Sequence, residues 1–422
     1  MKGSSVIVRF PPSPTGPLHV GGARTALFNY LFAKQMGGKI ILRFEDTDRE
    51  RSKPEYEASI LDSLQWLQFK FDETCRQSER TAVYTTELER LLVTGAVYRS
   101  PEAPVIRFRN PGRVITFTDL VRGEISFDTT ELGDFIIARN INEPLYHFAV
   151  VVDDWQMGLT HVIRGEDHIS NTPRQILIQE ALGAPRPIYA HIPLILAPDR
   201  SKLSKRHGAV SVTDYRERGY LPEALINYLA LLGWNPGTEQ EIFSLTELIE
   251  KFSLEKIQKG GAVFDVTKLN WLNREYLKLL PEEMIIRQIP AGFDQPLIRK
   301  ILPLLRERMV TLNDVSRFLE PTGEFGYFLA LPIYSRTLLR NQDHLEPLKK
   351  ILEKLPDDDF TAEKVRATIF PYAEQHGKSN VLWPFRVALT GLEKSPDPFT
   401  IADILGKKET LLRLEHAAKT SN

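Results

Sequence analysis

Hydrophobic and polar residues follow one another along the first seventy residues in a way that predicts two strands and two helices. Apolar runs over 6–10 and 39–45 predict buried strands, and apolar residues at helical spacing predict helices over 23–35 and 54–67. Strands that alternate with helices are typical of a parallel, doubly wound α/β sheet. Ligands bind at the carboxyl ends of the strands in such a sheet, so a site is expected just after each strand.

The pattern changes between residues 98 and 139, where short alternating runs are separated by Pro-Gly and Arg-Gly turns. These runs predict antiparallel strands in a small α+β insertion. The apolar run Phe148–Val152 then predicts a further buried strand of the parallel fold, followed by a helix from about Thr172 to Leu182. The run 191–196 predicts the last strand of that sheet.

Beyond residue 210 the pattern is helical. An apolar helix is predicted over 221–232, with Pro222 in its first turn. From Pro281 onwards the chain is rich in Leu, Lys and Glu and is predicted to be all-α. The sequence therefore predicts an α/β part followed by a helical part.

Composition narrows the class of protein without fixing its function. The 422 residues are enough for two to four domains, and 42% hydrophobic and 26% charged residues are ordinary for a soluble globular protein. No signal peptide or long apolar stretch is present, so we expect a cytoplasmic protein without membrane contact. The net charge of −1 means that any RNA contact needs a local basic patch. The single cysteine, Cys75, excludes a disulfide framework and a cysteine-cluster zinc site.

A rigid turn joins the first strand to the first helix. Four prolines between residues 11 and 17 prevent helix or sheet continuation, and His19, Gly21 and Gly22 lead into the helix. Unpaired backbone N–H groups and the helix dipole make such a place suitable for phosphate, and glycine permits close approach of the ligand. Neither a Walker loop nor a dinucleotide-binding fingerprint is present in this turn, so its spacing alone does not fix the ligand.

Two segments carry a family resemblance. Pro12-Ser-Pro-Thr-Gly-Pro-Leu-His-Val-Gly-Gly22 resembles the HIGH signature of class I aminoacyl-tRNA synthetases, in the form used by the glutamyl and glutaminyl branch. Lys202-Leu-Ser-Lys205-Arg206 resembles the KMSKS loop of the same family. The resemblance, which covers nearly the whole chain, is to bacterial glutamyl enzymes. It implies a Rossmann-like catalytic domain that activates L-glutamate with ATP, in a tRNA-dependent step, and transfers it to the 3′ end of tRNA for glutamate.

The resemblance also implies a division of the chain into five parts. These are the two halves of the catalytic domain at 1–97 and 141–215, an acceptor-binding insertion at 98–140, a helical linking domain at 216–280 that contacts the tRNA stem, and a helical anticodon-binding region at 281–422. The insertion is shorter than in relatives by a few tens of residues, because only six residues separate Tyr98 from Val105.

The implied reaction needs positioning and charge stabilisation around phosphate, and no protein nucleophile. By resemblance, the catalytic residues are His19, Lys202 and Lys205. The resemblance assigns ATP binding to His19, Gly21, Gly22 and Lys205. Lysines on a polar loop can stabilise the negative charge that develops on pyrophosphate as it leaves.

Glutamate carries two carboxylates and one ammonium group, so its pocket needs cations and an anion. Arginine suits a carboxylate because its planar guanidinium can donate two parallel hydrogen bonds. In the family, the residues that match Arg9, Ser13, Glu45, Tyr146 and Arg164 form the glutamate pocket. Arg9 and Arg164 are expected at strand ends that face the site, and Glu45 is expected to receive the ammonium group.

A group of acidic residues and a histidine allows two interpretations: Asp153, Asp154, Glu166, Asp167 and His168. Carboxylates and imidazole can bind a divalent ion. We favour structural and substrate-positioning roles for them, with Mg²⁺ arriving bound to ATP. No metal site of the protein itself and no structural zinc are expected.

Other functions stay open at this stage. A paralogue that attaches glutamate to a modified tRNA base ends soon after its catalytic domain, whereas this chain continues for about 140 residues beyond Pro281. A catalytically weak or regulatory RNA-binding relative is compatible with the short insertion, but the intact signature segments oppose it. A glutaminyl enzyme is disfavoured because its tail is typically a β-barrel. The resemblance implies a monomer, and it leaves open whether tRNA for glutamine is a second substrate.

Overall fold

The structure is a computed structural model, which describes residues 5–204, 206, 210–289, 294–335 and 337–420. The chain divides into two units, the first ending at Asn273 and the second beginning at Arg274. Strands occur in the first unit, and the second unit is built from helices over its described residues. Lys205, one of the residues predicted to be catalytic, lies outside the described residues.

The strands are numbered in chain order. Their bounds are β1 Ile7–Phe10, β2 Lys39–Phe44, β3 Glu73–Arg76, β4 Val97–Arg99, β5 Ile106–Phe108, β6 Val114–Asp119, β7 Gly123–Asp128, β8 Phe135–Asn140, β9 Glu143–Pro144, β10 His161–Gly165, β11 Ile188–Ile192, β12 Ile195–Leu196 and β13 Ala262–Val263. The helices of the first unit are α1 Val20–Gln35, α2 Pro54–Trp66, α3 Thr81–Val93, α4 Tyr146–Gln156, α5 Thr172–Leu182, α6 Val212–Glu217, α7 Pro222–Leu231 and α8 Leu245–Lys251. Helix α9, Val266–Leu279, contains the division between the units.

Two sets of parallel strands form the centre of the first unit. Strands β1, β2 and β3 pair in that order, and β10 pairs with β11. The sets meet where β1 and β10 begin, because the Thr160 amide donates to the Ile7 carbonyl at 3.0 Å and the Ile7 amide donates to Thr160 Oγ1 at 2.9 Å. This arrangement confirms the predicted doubly wound fold, and it brings the carboxyl ends of β1, β2, β10 and β11 to one edge.

The predicted strand at Phe148–Val152 is wrong, because these residues lie inside helix α4. Every residue from Phe148 to Asp154 is buried, so the helix has no solvent-exposed face along this stretch that would reveal a helical period. A short, fully apolar run that contains three β-branched residues cannot be distinguished from a buried strand by periodicity. The helix forms here because packing on all sides outweighs the preference of three consecutive valines for a strand.

The predicted last strand over 191–196 is also only partly right. It forms as two pieces, β11 and β12, because Pro193 interrupts the pairing after Ile192. Strand β3 was not predicted, since Glu73–Arg76 is short, polar and partly exposed. The unpredicted strand β3 lies where the apolar pattern is weak, and the break between β11 and β12 lies at a proline.

The predicted antiparallel strands between residues 98 and 139 form two structures. Strands β4, β5, β8 and β9 make one antiparallel sheet. The β6–β7 hairpin instead joins the edge of β11, where Asp119 pairs with Tyr189 and the Leu120 amide donates to the Tyr189 carbonyl at 2.9 Å. Part of the predicted insertion thus extends the parallel sheet that carries the site.

Helix α1 is the central helix of the larger hydrophobic core, and it is buried on nearly all sides. It packs on β1 and β2 and against α7 and α8, and Phe28 contacts Phe252 with ring centroids 5.2 Å apart. Gly38, just before β2, is in close contact with β1, because a Cβ there would lie 2.2 Å from the Val6 carbonyl oxygen. The turn between α1 and β2 therefore requires glycine at this position.

The second unit confirms the predicted all-α tail. Its helices are α10 Glu282–Ile286, α11 Gln295–Arg308, α12 Asp314–Leu319, α13 Leu345–Glu353, α14 Ala362–His376, α15 Lys378–Thr390 and α16 Pro398–Lys419. Gly406, at φ 76°, interrupts α16. Over the described ranges, none of the helices in either unit has the length and apolar character needed to cross a membrane.

Candidate active site

A cavity of about 450 Å³ opens at the carboxyl ends of β1 and β10, in front of the N-terminus of α1. It collects residues from five separated parts of the chain: the proline-rich turn with the start of α1, Ile60 of α2, the end of β10 with the residues after it, the stretch 193–195, and the segment that follows β12. Six residues predicted from the sequence line it: Ser13, His19, Gly21, Gly22, Arg164 and Lys202. Asp167 and His168 line it as well.

His19 is the N-cap residue of α1. Its backbone is extended, at φ −79° and ψ 148°, and its Nδ1 accepts a hydrogen bond from the Gly21 amide at 3.0 Å. Because Nδ1 accepts, the proton of a neutral His19 ring is on Nε2, where it can be donated to an anion. The cap thus satisfies one N–H group of the helix start and presents an imidazole donor at a site suited to phosphate.

Backbone hydrogen bonds join the first signature segment to residues that follow the second one. The Val20 amide donates to the Val210 carbonyl at 2.8 Å, and the Val212 amide donates to the Leu18 carbonyl at 2.9 Å. At the start of the second segment, Lys202 pairs with Leu196 in an isolated bridge. The Lys202 ammonium lies 3.3 Å from Asp167 Oδ2, at the rim of the cavity.

Arg24 supports the cavity from beneath. It is 3% exposed, and its Nη1 donates to the Leu232 carbonyl at 2.8 Å, while Nη2 donates to the Pro193 carbonyl. Burial lowers the pKa of Arg24 to about 10, which still leaves it charged at neutral pH. Arg24, on α1, is therefore hydrogen-bonded both to the bend between β11 and β12 and to the end of α7.

Behind the cavity, charged side chains form a buried network. Arg9 Nε lies 3.3 Å from Asp154 Oδ1, and Arg43 contacts the same carboxylate through Nη1 at 2.7 Å. Arg43 also reaches Glu45 through Nη2 at 3.1 Å, and Arg80 Nε donates to Asp153 Oδ1 at 2.7 Å. The burial of Glu45 raises its pKa above the usual carboxyl range, although Arg43 and Arg9 oppose that rise.

Arg164 is 4% exposed and has one open position. Its Nε donates to His191 Nε2 at 3.1 Å, and its Nη2 donates to Thr172 Oγ1 at 2.8 Å. Its Nη1 is buried and has no hydrogen-bond acceptor among the described residues. A buried guanidinium N–H group without an acceptor is costly, and a carboxylate ligand in the cavity fits this vacant position.

Tyr146 and Ser13 occupy different surroundings. The Tyr146 hydroxyl lies 3.1 Å from His168 Nδ1, and burial raises the pKa of Tyr146 to about 12, so the phenol keeps its proton. Ser13 is exposed at the rim, and its carbonyl accepts a hydrogen bond from the Thr15 amide at 2.8 Å. Arg9 and Glu45 belong to the buried network, and Tyr146 is connected to the cavity through His168.

Each acidic residue of the cluster forms an ion pair with an arginine or a lysine. Asp153 and Asp154 bind arginines as above, Glu166 pairs with Arg122, and Asp167 pairs with Lys202. Over the part of the chain that the structure describes, no group of three or more His, Cys, Asp or Glu residues is arranged to hold a metal ion. These contacts support the structural and positioning interpretation of the cluster.

Several residues of the site were not singled out from the sequence as site residues, among them Arg24, Arg43, Arg80 and Asp119. Arg43 gave the clearest available signal, because it is a charge within the apolar strand run Ile-Ile-Leu-Arg-Phe. A buried charge needs a partner, so such a residue indicates a charged network. Asp119 and Arg80 gave no such signal, since their roles depend on contacts with residues more than seventy positions away.

Comparison with known proteins identifies the class. The chain matches the family of class I tRNA synthetases (E and Q), catalytic domain, over residues 5–104 and 99–271. It matches an anticodon-binding domain family over residues 270–418. The chain therefore belongs to the glutamyl and glutaminyl branch of the class I aminoacyl-tRNA synthetases.

Within that family, curated glutamate–tRNA ligases align with nearly the whole chain. The enzyme of Carboxydothermus hydrogenoformans is 41% identical over 476 aligned residues, which cover 97% of this chain and 99% of the relative. The enzyme of Heliobacterium modesticaldum is 40% identical, over 98% of this chain and 97% of the relative. The first alignment is longer than the 422-residue chain, so some residues of that relative have no counterpart here.

A solved structure shows the same fold. The crystal structure of a glutamate tRNA ligase from Elizabethkingia meningosepticum, in complex with its amino acid, is 33% identical to this chain. The two agree with a TM-score of 0.91 over 99% of this chain and 100% of the other. This likeness extends over both the catalytic and the helical parts.

Proposed function

We propose that this protein is a glutamate–tRNA ligase that uses ATP to form glutamyl-adenylate and then charges tRNA for glutamate. The observation that carries the proposal is that one cavity contains both a capped helix N-terminus suited to phosphate and a buried arginine with an open donor position. The first feature suits a nucleotide and the second suits a carboxylate. The roles given below to individual residues are part of the proposal.

In the first step, a carboxylate oxygen of glutamate attacks the α-phosphorus of ATP, and the bond to the β-phosphate oxygen breaks to release pyrophosphate. We assign the phosphates to His19 Nε2 and to the backbone at Gly21 and Gly22. Lys202 and Lys205 stabilise the charge that develops on pyrophosphate. Mg²⁺ arrives with ATP as part of the substrate complex.

The amino acid is assigned to the other side of the cavity. Arg164 donates from Nη1 to one carboxylate and Arg9 supplies a second positive charge. Glu45 receives the ammonium group, and Ser13 and Tyr146 complete the pocket with hydroxyl groups. In the second step, the terminal ribose hydroxyl of tRNA attacks the carbonyl carbon, AMP leaves, and the hydroxyl proton passes to the leaving phosphate.

The predicted partners and boundaries are carried forward as proposals. Residues 98–140 are assigned to the acceptor end of tRNA, 216–280 to its stem and 281–422 to its anticodon. The anticodon-binding family match over residues 270–418 supports the last assignment. We propose a monomer acting in the cytoplasm, where tRNA is charged, and we leave tRNA for glutamine as a substrate to be tested.

The experiment is ATP–pyrophosphate exchange with purified protein, with and without glutamate and tRNA. We expect exchange only when both are present. The variant Lys205→Ala is expected to lower the rate about a hundredfold, since an electrostatic contact to the transition state is lost. Lys251→Ala, on the exposed end of α8, is the matched control and is expected to match the unmodified protein.

Each other outcome points to a different function. Exchange that does not need tRNA would favour the paralogue chemistry on a modified tRNA base. Absence of exchange under all conditions, in a sample shown to be folded, would contradict the ligase and favour an RNA-binding relative without catalysis. Exchange that depends on glutamine instead of glutamate would move the protein to the glutaminyl type.

A further inference from the structure

A chain of three buried side chains leads from the β6–β7 hairpin to the open position of Arg164. Asp119 Oδ2 lies 2.7 Å from His191 Nδ1, and His191 Nε2 lies 3.1 Å from Arg164 Nε. Asp119 is 1% exposed and His191 has no exposure. No solvent therefore competes with these contacts.

The direction of each hydrogen bond follows from chemistry. A guanidinium has only N–H donors, so Arg164 Nε donates and His191 Nε2 must carry no proton. The imidazole is therefore neutral, with its single proton on Nδ1, which donates to the Asp119 carboxylate. Burial lowers the pKa of His191, and this favours the neutral ring that the contact with Arg164 requires.

Asp119 is itself fixed by the backbone around it. Its Oδ1 accepts hydrogen bonds from the amides of Val121 and Arg122, at 2.9 and 2.8 Å, and its Oδ2 accepts from the His191 amide at 3.0 Å. Burial alone would raise the pKa of Asp119, but the hydrogen bonds from His191 and Arg122 hold it below its usual range. The carboxylate thus stays ionised and can only accept.

We infer that Asp119 and His191 are positioning residues, which fix the tautomer of one ring and through it the orientation of the Arg164 guanidinium toward a substrate carboxylate. With Nε and Nη2 engaged, Nη1 is the Arg164 nitrogen that has no acceptor among the described residues. If the His191 proton moved to Nε2, it could be donated to Thr172 Oγ1 at 3.2 Å, but Nε2 would no longer accept from Arg164 Nε, and the contact that orients the guanidinium would be lost. The inference rests on the proposed function, because it assigns the carboxylate to glutamate.

The turn between β6 and β7 also contacts the segment that follows β10. Arg122 pairs with Glu166, which follows directly after β10, and Glu166 Oε1 accepts a hydrogen bond from the Leu194 amide at 2.7 Å. Asp119 and Arg122 therefore contact two neighbours of Arg164, namely His191 on β11 and Glu166 just after β10. A role in positioning this arginine follows for the turn between β6 and β7.

The test is steady-state ATP–pyrophosphate exchange with Asp119→Asn, measured against glutamate and against ATP separately. The asparagine amide can donate to Nδ1 and stabilise the wrong tautomer, by the same logic as in a Ser-His-Asp triad. We expect the KM for glutamate to rise about tenfold or more, with the KM for ATP within about twofold of the unmodified value. Asp128→Asn, an exposed carboxylate on the same hairpin, is the matched control and is expected to leave both constants unchanged.

A pair of substitutions at His191 separates positioning from packing. His191→Gln keeps an acceptor near the place of Nε2, whereas His191→Asn keeps only a donor near the place of Nδ1. We expect His191→Gln to recover most of the affinity for glutamate that His191→Asn loses. Equal losses in both variants, or equal rises in KM for glutamate and ATP in Asp119→Asn, would show a merely structural role and overturn the inference.

A measurement that does not depend on activity keeps the two proposals distinguishable. In protein labelled with ¹⁵N-histidine, the unmodified chain is expected to show a protonated Nδ1 at His191, and Asp119→Asn is expected to lose it. Failure of the unmodified protein to use glutamate would overturn the proposed function alone. A His191 ring protonated at Nε2 in the unmodified protein would overturn the positioning role, whatever the substrate.

Discussion

Arg43 lies close to three carboxylates, and it has no exposed surface. It lies 2.7 Å from Asp154, 3.1 Å from Glu45 and 3.7 Å from Asp153. Burying these charges costs several kcal/mol for each ion, which the network offsets only while it remains complete. Arg43 therefore makes it possible for carboxylates to stand close to a site that has to bind an anionic amino acid.

Removing this one cation should be far more damaging than removing an exposed one. We expect Arg43→Met to lower the free energy of unfolding by about 3 to 5 kcal/mol, because the buried Glu45 loses its arginine and Asp153 and Asp154 are left with one arginine each. The measurement is urea unfolding followed by circular dichroism at neutral pH.

Arg51→Met provides the comparison. Arg51 pairs with Asp48 at 2.6 Å, but its side chain is 75% exposed, so a change of less than about 1 kcal/mol is expected. Similar losses in both variants would contradict the view that burial sets the energy of the network.

Among the elements, the β1–α1–β2 unit carries most of the site, and it is also the part that the sequence predicted best. Its strands are short apolar runs, its helix is long, and proline and glycine mark where these elements begin and end, so their boundaries are visible in the sequence. Helix α4 was mistaken for a strand because it is buried on all sides, and its conformation depends on packing that a single sequence does not display.

The same distinction applies to the side chains of the site. His19, Gly21 and Gly22 are contiguous and their meaning is local, so the sequence revealed them and the structure brings them to one cavity. The relay from Asp119 to His191 spans 72 positions and exists only after β6 has paired with β11. Local patterns reveal local chemistry, whereas a contact between distant strands requires the sheet order to be known.

A substitution at Gly38 tests whether the start of β1 tolerates a larger distance from the chain just before β2. A Cβ at Gly38 would lie 2.2 Å from the Val6 carbonyl oxygen and 2.8 Å from the Val6 Cβ. The Lys39 amide donates to the same carbonyl at 2.8 Å, so β1 cannot move aside without losing a hydrogen bond. We expect Gly38→Ala to lower the free energy of unfolding by about 2 kcal/mol or more, measured by urea unfolding.

Gly260→Ala is the control for this change. No atom lies within 4 Å of a Cβ at Gly260, so its effect should stay within about 0.5 kcal/mol. A small effect at Gly38, equal to that at Gly260, would mean that the two strands tolerate separation.

Across both units, the residues assigned to ATP lie in the first one. Binding of Mg·ATP should therefore slow amide hydrogen exchange in the turn before α1 and in the segment after β12, and leave the helices from α11 to α16 unchanged. Hydrogen-exchange mass spectrometry measures this directly. His19→Ala, which removes the helix cap, should weaken the protection at the same nucleotide concentration.

Protection in the second unit would contradict the assignment of the nucleotide. It would mean either that ATP binds there or that the second unit responds to the occupied cavity. A response confined to the first unit would leave the helical tail free for recognition of another molecule.

The contacts of Arg24 have a consequence for the order of events during synthesis. Its partner carbonyl at Leu232 lies 208 residues further along the chain, and the carbonyl at Pro193 lies 169 residues further. At about 5 to 20 residues per second, a ribosome needs about 10 to 40 s to make the longer of these intervals. Helix α1, whose N-terminus lies at the cavity, is therefore made early but reaches its final packing only after these later residues have been made. Throughout that time its apolar sides are without their final neighbours α7 and α8, and the enzyme cannot act before both have emerged.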